Sequence, residues 1–274
     1  MTMVHTLACR PVRFSATDWL ALHTLALWPH GVYLAGRAFD GSDDPLGLLA
    51  LLAVAALVVW QRRRLRLTPR FSWLASSMAL ALLANGLWWL GAPALLASLC
   101  AAASLASALL AWWPADRAQL PLAGLVVLAL PWVASLQFYL GWPLRVLTAQ
   151  LSAWGLQLAG WDASRSGASM VVNGQLVIVD APCSGVQMAW LAYFCACAAA
   201  AFTGCSDHRF LRRAPLVGAI VLAGNVVRNS VLVALESRPQ SLDAAWHEAI
   251  GLTVLALVCM AVWSLIARPS VRHG

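Results

Sequence analysis

Apolar runs of about 20 residues recur along this chain between short polar breaks, and that is the length an α-helix needs to cross a bilayer core. Eight stand out, at roughly 18–37, 45–60, 71–90, 94–113, 119–140, 183–203, 215–235 and 248–267. Of 274 residues, 61% are hydrophobic and 11% charged, against about 45–50% and about 25% in soluble domains. Such a chain cannot hide its apolar surface in one soluble core. A cytosolic enzyme, a disordered tail and a disulfide scaffold are excluded. The expected fold is an all-α polytopic membrane protein of about eight transmembrane helices, forming a single integral membrane domain over 1–274. The first run is interrupted by His23, Pro29 and His30 and preceded by Arg10 and Arg13. It has a poor cleavage site at 34–37 and reads as an uncleaved anchor rather than a signal peptide.

Alternating the connections separates the charges. One side collects Arg10, Arg13, Arg117 and the clusters at 62–70, 209–213 and 268–272, which hold 13 of the 18 arginines. The other collects 8 of the 11 acids, among them Asp162, Asp180, Glu236, Asp243 and Glu248. By the positive-inside rule both termini are expected in the cytoplasm of a bacterial inner-membrane protein. The basic balance is thereby explained by topology, and nucleic acid is not expected as a partner. Alanine-rich stretches such as 99–111 read as small-residue helix packing.

Only one connection is long, residues 141–182, and it falls on the outer, periplasmic side. Leu144, Leu147, Leu151, Trp154 and Leu158 form the apolar seam of a helix lying on the membrane. Met170-Val171-Val172, Asn173-Gly174 and the residues from Gln175 to Val179 read as a small β-hairpin, since Asn-Gly favours the tight turn with two positive φ angles. The hairpin runs into Asp180-Ala181-Pro182-Cys183-Ser184-Gly185-Val186-Gln187.

Seven cysteines sort by depth. Cys100, Cys195, Cys197 and Cys259 lie inside spans and read as small core residues. Cys9 and Cys205 are expected on the reducing side. Cys183 opens a helix at the outer boundary, where free N–H groups and the positive dipole end favour a thiolate. His247 is the histidine expected at that same boundary. In the seventh span Asn225, Arg228 and Asn229 recur at i, i+3, i+4, which predicts one polar helix face. An arginine within a span costs at least about 2.5–3.5 kcal/mol and marks a functional site by default. Cys183, Arg228 and His247 thus meet at one interface. A thiolate nucleophile, an imidazole proton carrier and a guanidinium beside a developing oxyanion suit acyl transfer at an amide.

These residues resemble the exosortase/archaeosortase family of membrane cysteine proteases and transpeptidases. The resemblance lies in Ala181-Pro182-Cys183-Ser184-Gly185-Val186-Gln187, Asn225-Val226-Val227-Arg228-Asn229 and Trp246-His247-Glu248-Ala249-Ile250-Gly251, with weaker matches at Gln137-Phe138 and Pro143-Leu144-Arg145, all within about 131–251. It implies catalytic roles for Cys183, Arg228 and His247, with Asn225, Asn229, Ser184, Gln187 and Arg145 supporting them or binding substrate. It also implies cleavage, through a thioester acyl-enzyme, of exported proteins that carry a C-terminal sorting signal. That signal is a short motif such as Pro-Glu-Pro (PEP-CTERM), one transmembrane helix and a basic cluster. No cofactor and no metal are called for. Proline precedes Cys183 where alanine is commoner, which implies an outlying branch.

Two other readings compete: a polytopic transporter that uses Arg228 and the asparagines to hold its substrate, and a non-catalytic assembly factor for envelope polysaccharide or protein export. A transporter of the inverted-repeat kind shows broken helices in two related halves, and no such halves are visible in the sequence. The orientation is testable directly. A cysteine introduced near Asn173 should react with a membrane-impermeant maleimide from outside intact cells, and labelling only after the cytoplasm is opened would refute the scheme.

Overall fold

The computed structural model describes residues 15–39, 45–178, 184–237 and 243–268. Among them the helices run α1 (Ala16–Ala26), α2 (Trp28–Phe39), α3 (Leu46–Gln61), α4 (Phe71–Trp89), α5 (Ala94–Trp112), α6 (Leu120–Leu128) and α7 (Trp132–Leu158). Three strands follow, β1 (Ala163–Ser166), β2 (Ser169–Val172) and β3 (Gln175–Ile178), and then α8 (Val186–Thr203), α9 (Asp207–Glu236) and α10 (Ala244–Ala267). Helices α4, α5, α8, α9 and α10 are long and apolar enough to cross a membrane, and the bent pair α6–α7 makes up to six spans. Large apolar side chains such as Leu82 and Trp89 stand 75% and 86% exposed, which only a lipid solvent makes cheap.

The expected count of eight spans is not reached by this measure, for three local reasons. The first run divides into α1 and α2, of 11 and 12 residues. His23 and His30 turn inward from them, His23 Nε2 lying 2.8 Å from Ser104 Oγ and His30 Nδ1 3.3 Å from Ser98 Oγ. The second run is α3, 16 residues long and so shorter than a bilayer core requires. The fifth, expected as one helix over 119–140, breaks at Leu130–Pro131 and bends by 86°. Pro131 has no N–H with which to continue the α6 hydrogen-bond ladder.

Beyond that break the chain departs from expectation again. Residues 141–158 are not a loop helix of their own but the C-terminal two-thirds of α7, with Pro143 inside it. The row Leu147, Trp154 and Leu158 is exposed, as an interfacial seam should be. The opposite row of Thr148, Ala149, Ser152, Ala153 and Leu156 is buried. The Asn-Gly hairpin is present as β2–β3, with Val172 opposite Gln175. Its turn residues have φ of 50° at Asn173 and 78° at Gly174, as a tight type I′ turn requires. The sheet has one strand more than expected: β1 pairs antiparallel with β2, Ala163 facing Val172. Met170, Val172 and Val177 bury one face of the sheet against Ala149, Ala153 and Leu156 of α7 and Leu232 and Val233 of α9.

The arginine-bearing connections gather at one end of the bundle. Arg66 and Arg70 donate backbone N–H groups to the Trp112 and Ala111 carbonyls at the close of α5. The Gln119 and Leu120 N–H groups both donate to Asp207 Oδ1 at 2.8 Å, so one carboxylate at the start of α9 caps α6. Arg213 Nη1 reaches the Ile266 carbonyl at the close of α10, 2.9 Å away.

Small residues set the spacing of the core, as the alanine-rich stretch of α5 predicts: Ala97, Ala101, Ala106, Ala108 and Ala111 are all buried. Gly124 of α6 faces Cys197 of α8 so closely that a Cβ at 124 would lie 2.8 Å from Cys197 Sγ. Cys197 is 4% exposed and acts as the small packing residue expected. Gly124→Ala should therefore destabilise the detergent-solubilised protein by about 1–3 kcal/mol through overpacking. Adding Cys197→Ala should recover most of that loss, a non-additivity readable in thermal unfolding midpoints.

Candidate functional site

The end of the bundle opposite the arginines is assembled where α7, α8, α9 and α10 meet. Helix α8 begins there on a left-handed residue, Gly185, with φ of 80°. A Cβ at that position would lie 2.9 Å from Asn225 Cγ, so glycine is required both by the turn and by the close approach of α9. The preceding Ser184 is buried. Its hydroxyl donates to Gln137 Oε1 of α7 at 2.7 Å and accepts the Val186 N–H at 3.3 Å. The chain entering α8 is thus held by α7 on one side and α9 on the other. Cys183, the residue bonded to Ser184, lies outside the described residues.

The polar residues of α9 are present as predicted, but on two adjacent rows rather than one face. Asn225 and Asn229 turn toward α7: Asn225 Nδ2 donates to Thr148 Oγ1 at 3.0 Å and Asn229 Nδ2 to Ser152 Oγ at 2.9 Å. Ser152 passes its own proton on to the Val226 carbonyl, and Met170 Sδ of the sheet sits 3.5 Å from Asn229 Nδ2. Arg228 turns toward α10 instead. A Cβ on Gly251 would come within 3.3 Å of its Nε and 3.4 Å of its Nη2. One turn earlier on that row, Gly224 is packed so tightly on Val258 that any side chain would collide. The glycines let α9 and α10 approach, and the guanidinium fills the space at Gly251.

His247 lies in the first turn of α10, one turn before Gly251 and on the same helix face. Its Nδ1 is 3.3 Å from Glu236 Oε1 at the last residue of α9. Polar Arg228, Gln187 and Glu248, with Gly251, line an open cavity of about 370 Å³ together with apolar Met188, Leu191, Leu252 and Leu255. Arg145 stands apart: its Nε donates back to the Gly141 carbonyl of its own helix at 3.3 Å. Cys205, at the arginine end between α8 and α9, is a poor nucleophile, because burial pushes its thiol up more than Arg209 and Arg213 hold it down. Among the described residues no three His, Cys, Asp or Glu side chains are grouped to hold a metal ion.

The structure therefore brings Ser184, Gln187, Asn225, Arg228, Asn229 and His247 to one end of the bundle. It adds Gln137, Thr148, Ser152, Glu236 and Glu248, which sequence reasoning did not assign. Signals existed for most of them: Gln137 and Glu248 lie within the motifs that carry the resemblance, and Thr148 and Ser152 repeat at i, i+4, as Asn225 and Asn229 do, so that two matched polar rows at helical spacing are complementary. Glu236 had only its outer-side position to mark it.

The family model of the transmembrane exosortases matches residues 39–264 of this chain, which includes every described residue of the cluster. No curated protein and no solved structure matches it.

The glycine at the start of α8 offers a test of the geometry. Gly185→Ala incurs both the left-handed backbone cost of about 1–2 kcal/mol and the collision with Asn225. Gly174→Ala, at φ of 78° with nothing within 4 Å of its Cβ, incurs the backbone cost alone. Thermal unfolding in detergent should show Gly185→Ala clearly the more destabilised of the two.

Proposed function

This chain belongs to the transmembrane exosortase family, and from that premise we propose that it is a membrane-embedded cysteine protease/transpeptidase acting on exported proteins at the outer face of a bacterial inner membrane. The observation that carries the proposal is the convergence of Ser184, just before α8, Arg228 of α9 and His247 of α10 on one end of the bundle, with Cys183 adjoining Ser184 in the chain. Cys183 is the nucleophile in this reading. His247 takes up the thiol proton, and Cys183 Sγ attacks the scissile carbonyl to give a tetrahedral oxyanion. Collapse of that oxyanion expels the amine, protonated by His247, and leaves a thioester. Water or an amine then resolves the thioester.

Arg228 is assigned to the oxyanion. A guanidinium keeps its charge at any accessible pH, so its role is electrostatic and directional rather than proton transfer. Packing on Gly251 supports this by fixing the plane of the fork. Asn225 and Asn229 act as positioning residues that tie α9 to α7. Gln187 and Glu248 at the cavity mouth face the substrate backbone. The substrate proposed is a protein with a short C-terminal motif, a transmembrane helix and a basic cluster. Its helix has an apolar path beside Leu191, Leu252 and Leu255, and its basic cluster follows the positive-inside rule, as this chain's own arginines do. Both termini of the enzyme are placed in the cytoplasm by the same rule.

The test is co-expression with a reporter carrying a Pro-Glu-Pro motif, a transmembrane helix and an arginine cluster, followed by blotting for the processed form. Cys183→Ala should abolish processing while the protein still inserts, and Cys195→Ala and Cys197→Ala should process normally. His247→Ala should not form the thioester. Arg228→Lys keeps the charge but loses the planar fork, and should be slowed about as much as Arg228→Ala, by roughly a hundred- to a thousandfold. Wild-type processing by Cys183→Ala would leave the transporter and assembly readings in its place.

A further inference from the structure

Thiol–imidazole chemistry needs a group that sets the imidazole's orientation and tautomer, and the two ring nitrogens are distinct in this respect. Only one of them can face the thiol. The other must hold its proton, or the first cannot accept one. In this fold Nδ1 of His247 lies 3.3 Å from Glu236 Oε1. A carboxylate is acceptor-only when ionised, so it favours the tautomer protonated at Nδ1 and leaves the Nε2 lone pair for the thiol proton.

The placement of the two residues is hard to explain by helix stability. Glu236 is the last residue of the 30-residue α9, where the negative end of the dipole opposes an anion. His247 is in the first turn of α10, where the positive end opposes a cation. Neither charge is matched to the dipole of its own helix end, and the two sit against each other instead. Both side chains are about one-third exposed, His247 37% and Glu236 34%, so a surface ion pair here would add little to stability on its own. Arg228 lies two turns before Glu236 on α9, Glu248 adjoins His247 at the cavity mouth, and the Asp243 carbonyl accepts the His247 N–H at 3.3 Å. Of these neighbours, Glu236 is the one seen at a ring nitrogen of His247 among the described residues.

We infer that Glu236 is the positioning residue of His247, setting the orientation and tautomer of its ring. The inference rests on the cysteine-protease reading above. It assigns Glu236 no proton of its own to move: the carboxylate acts only through the imidazole.

The experiment uses the full chain in detergent and iodoacetamide as the probe, with Cys183 alkylation followed by mass spectrometry of its peptide. His247→Ala should slow alkylation at neutral pH. Glu236→Gln should slow it by about tenfold, a part of the roughly 10²–10⁴-fold that a positioned proton carrier contributes. Glu236→Asp should recover part of the rate. The double variant Glu236→Gln/His247→Ala should be no slower than His247→Ala alone, because Glu236 acts through the ring; additive losses would mean a structural role and overturn the assignment. The reporter assay separates the two levels. Wild-type processing by Cys183→Ala would remove the thiol reading and this inference with it. Loss of processing by Cys183→Ala, combined with wild-type alkylation in Glu236→Gln, would overturn the Glu236 assignment alone.

Discussion

Two amide-to-hydroxyl hydrogen bonds, Asn225 to Thr148 and Asn229 to Ser152, hold the polar end of this molecule together. Lipid offers no substitute partner for a buried amide, so polar side chains within a bundle must find each other. Because the asparagines are committed to α7, that helix is held against the upper part of α9. The rest of the site follows from that contact. Helix α7 carries Gln137 to Ser184 and so grips the chain entering α8. The sheet that follows α7 is seated on the same two helices, with Met170 against Asn229. Arg228, left on the neighbouring row, is directed to α10 and the cavity.

The bend between α6 and α7 makes this contact reachable. A straight helix from Leu120 would run past the end of α8. The 86° turn at Leu130–Pro131 redirects the chain while it is still beside Trp190, whose indole N–H donates to the Leu128 carbonyl at 3.1 Å. That bond satisfies a carbonyl that the broken helix leaves without its own partner. At the other end, Asp207 caps α6 and ties it to α9. The short helix α6 is therefore fixed at both of its ends, and the geometry of the site is referred back to the arginine end through it.

Glycine supplies the remaining precision. Gly185, Gly224 and Gly251 stand where α8, α9 and α10 approach one another. In a membrane, where close packing rather than water exclusion drives helix association, small residues at such points let the backbones meet. At Gly251 the space is occupied by a guanidinium instead of a second helix backbone, so the arginine of this span packs between two helices.

Much of this was determined by the sequence alone. Run length and composition specify membrane helices because lipid tolerates no other solution for unpaired backbone, and five of the expected runs appear as full-length helices. The Asn-Gly turn specifies its hairpin because few residue pairs accept two positive φ angles. Helical spacing specifies that Asn225 and Asn229 share a row, and the charge alternation that Ser184, Arg228 and His247 lie toward one end. Tertiary structure decided the rest. Periodicity reports that a residue is on a face, not which neighbour the face meets, so the separation of Arg228 from the asparagines was invisible until α7 and α10 were in place. Hydropathy reports apolar length and not direction, so it read α6 and the first third of α7 as one span and missed the bend. The pairing of Glu236 with His247 joins the end of one helix to the start of the next across a turn, and no local pattern encodes a contact that depends on how two helices pack.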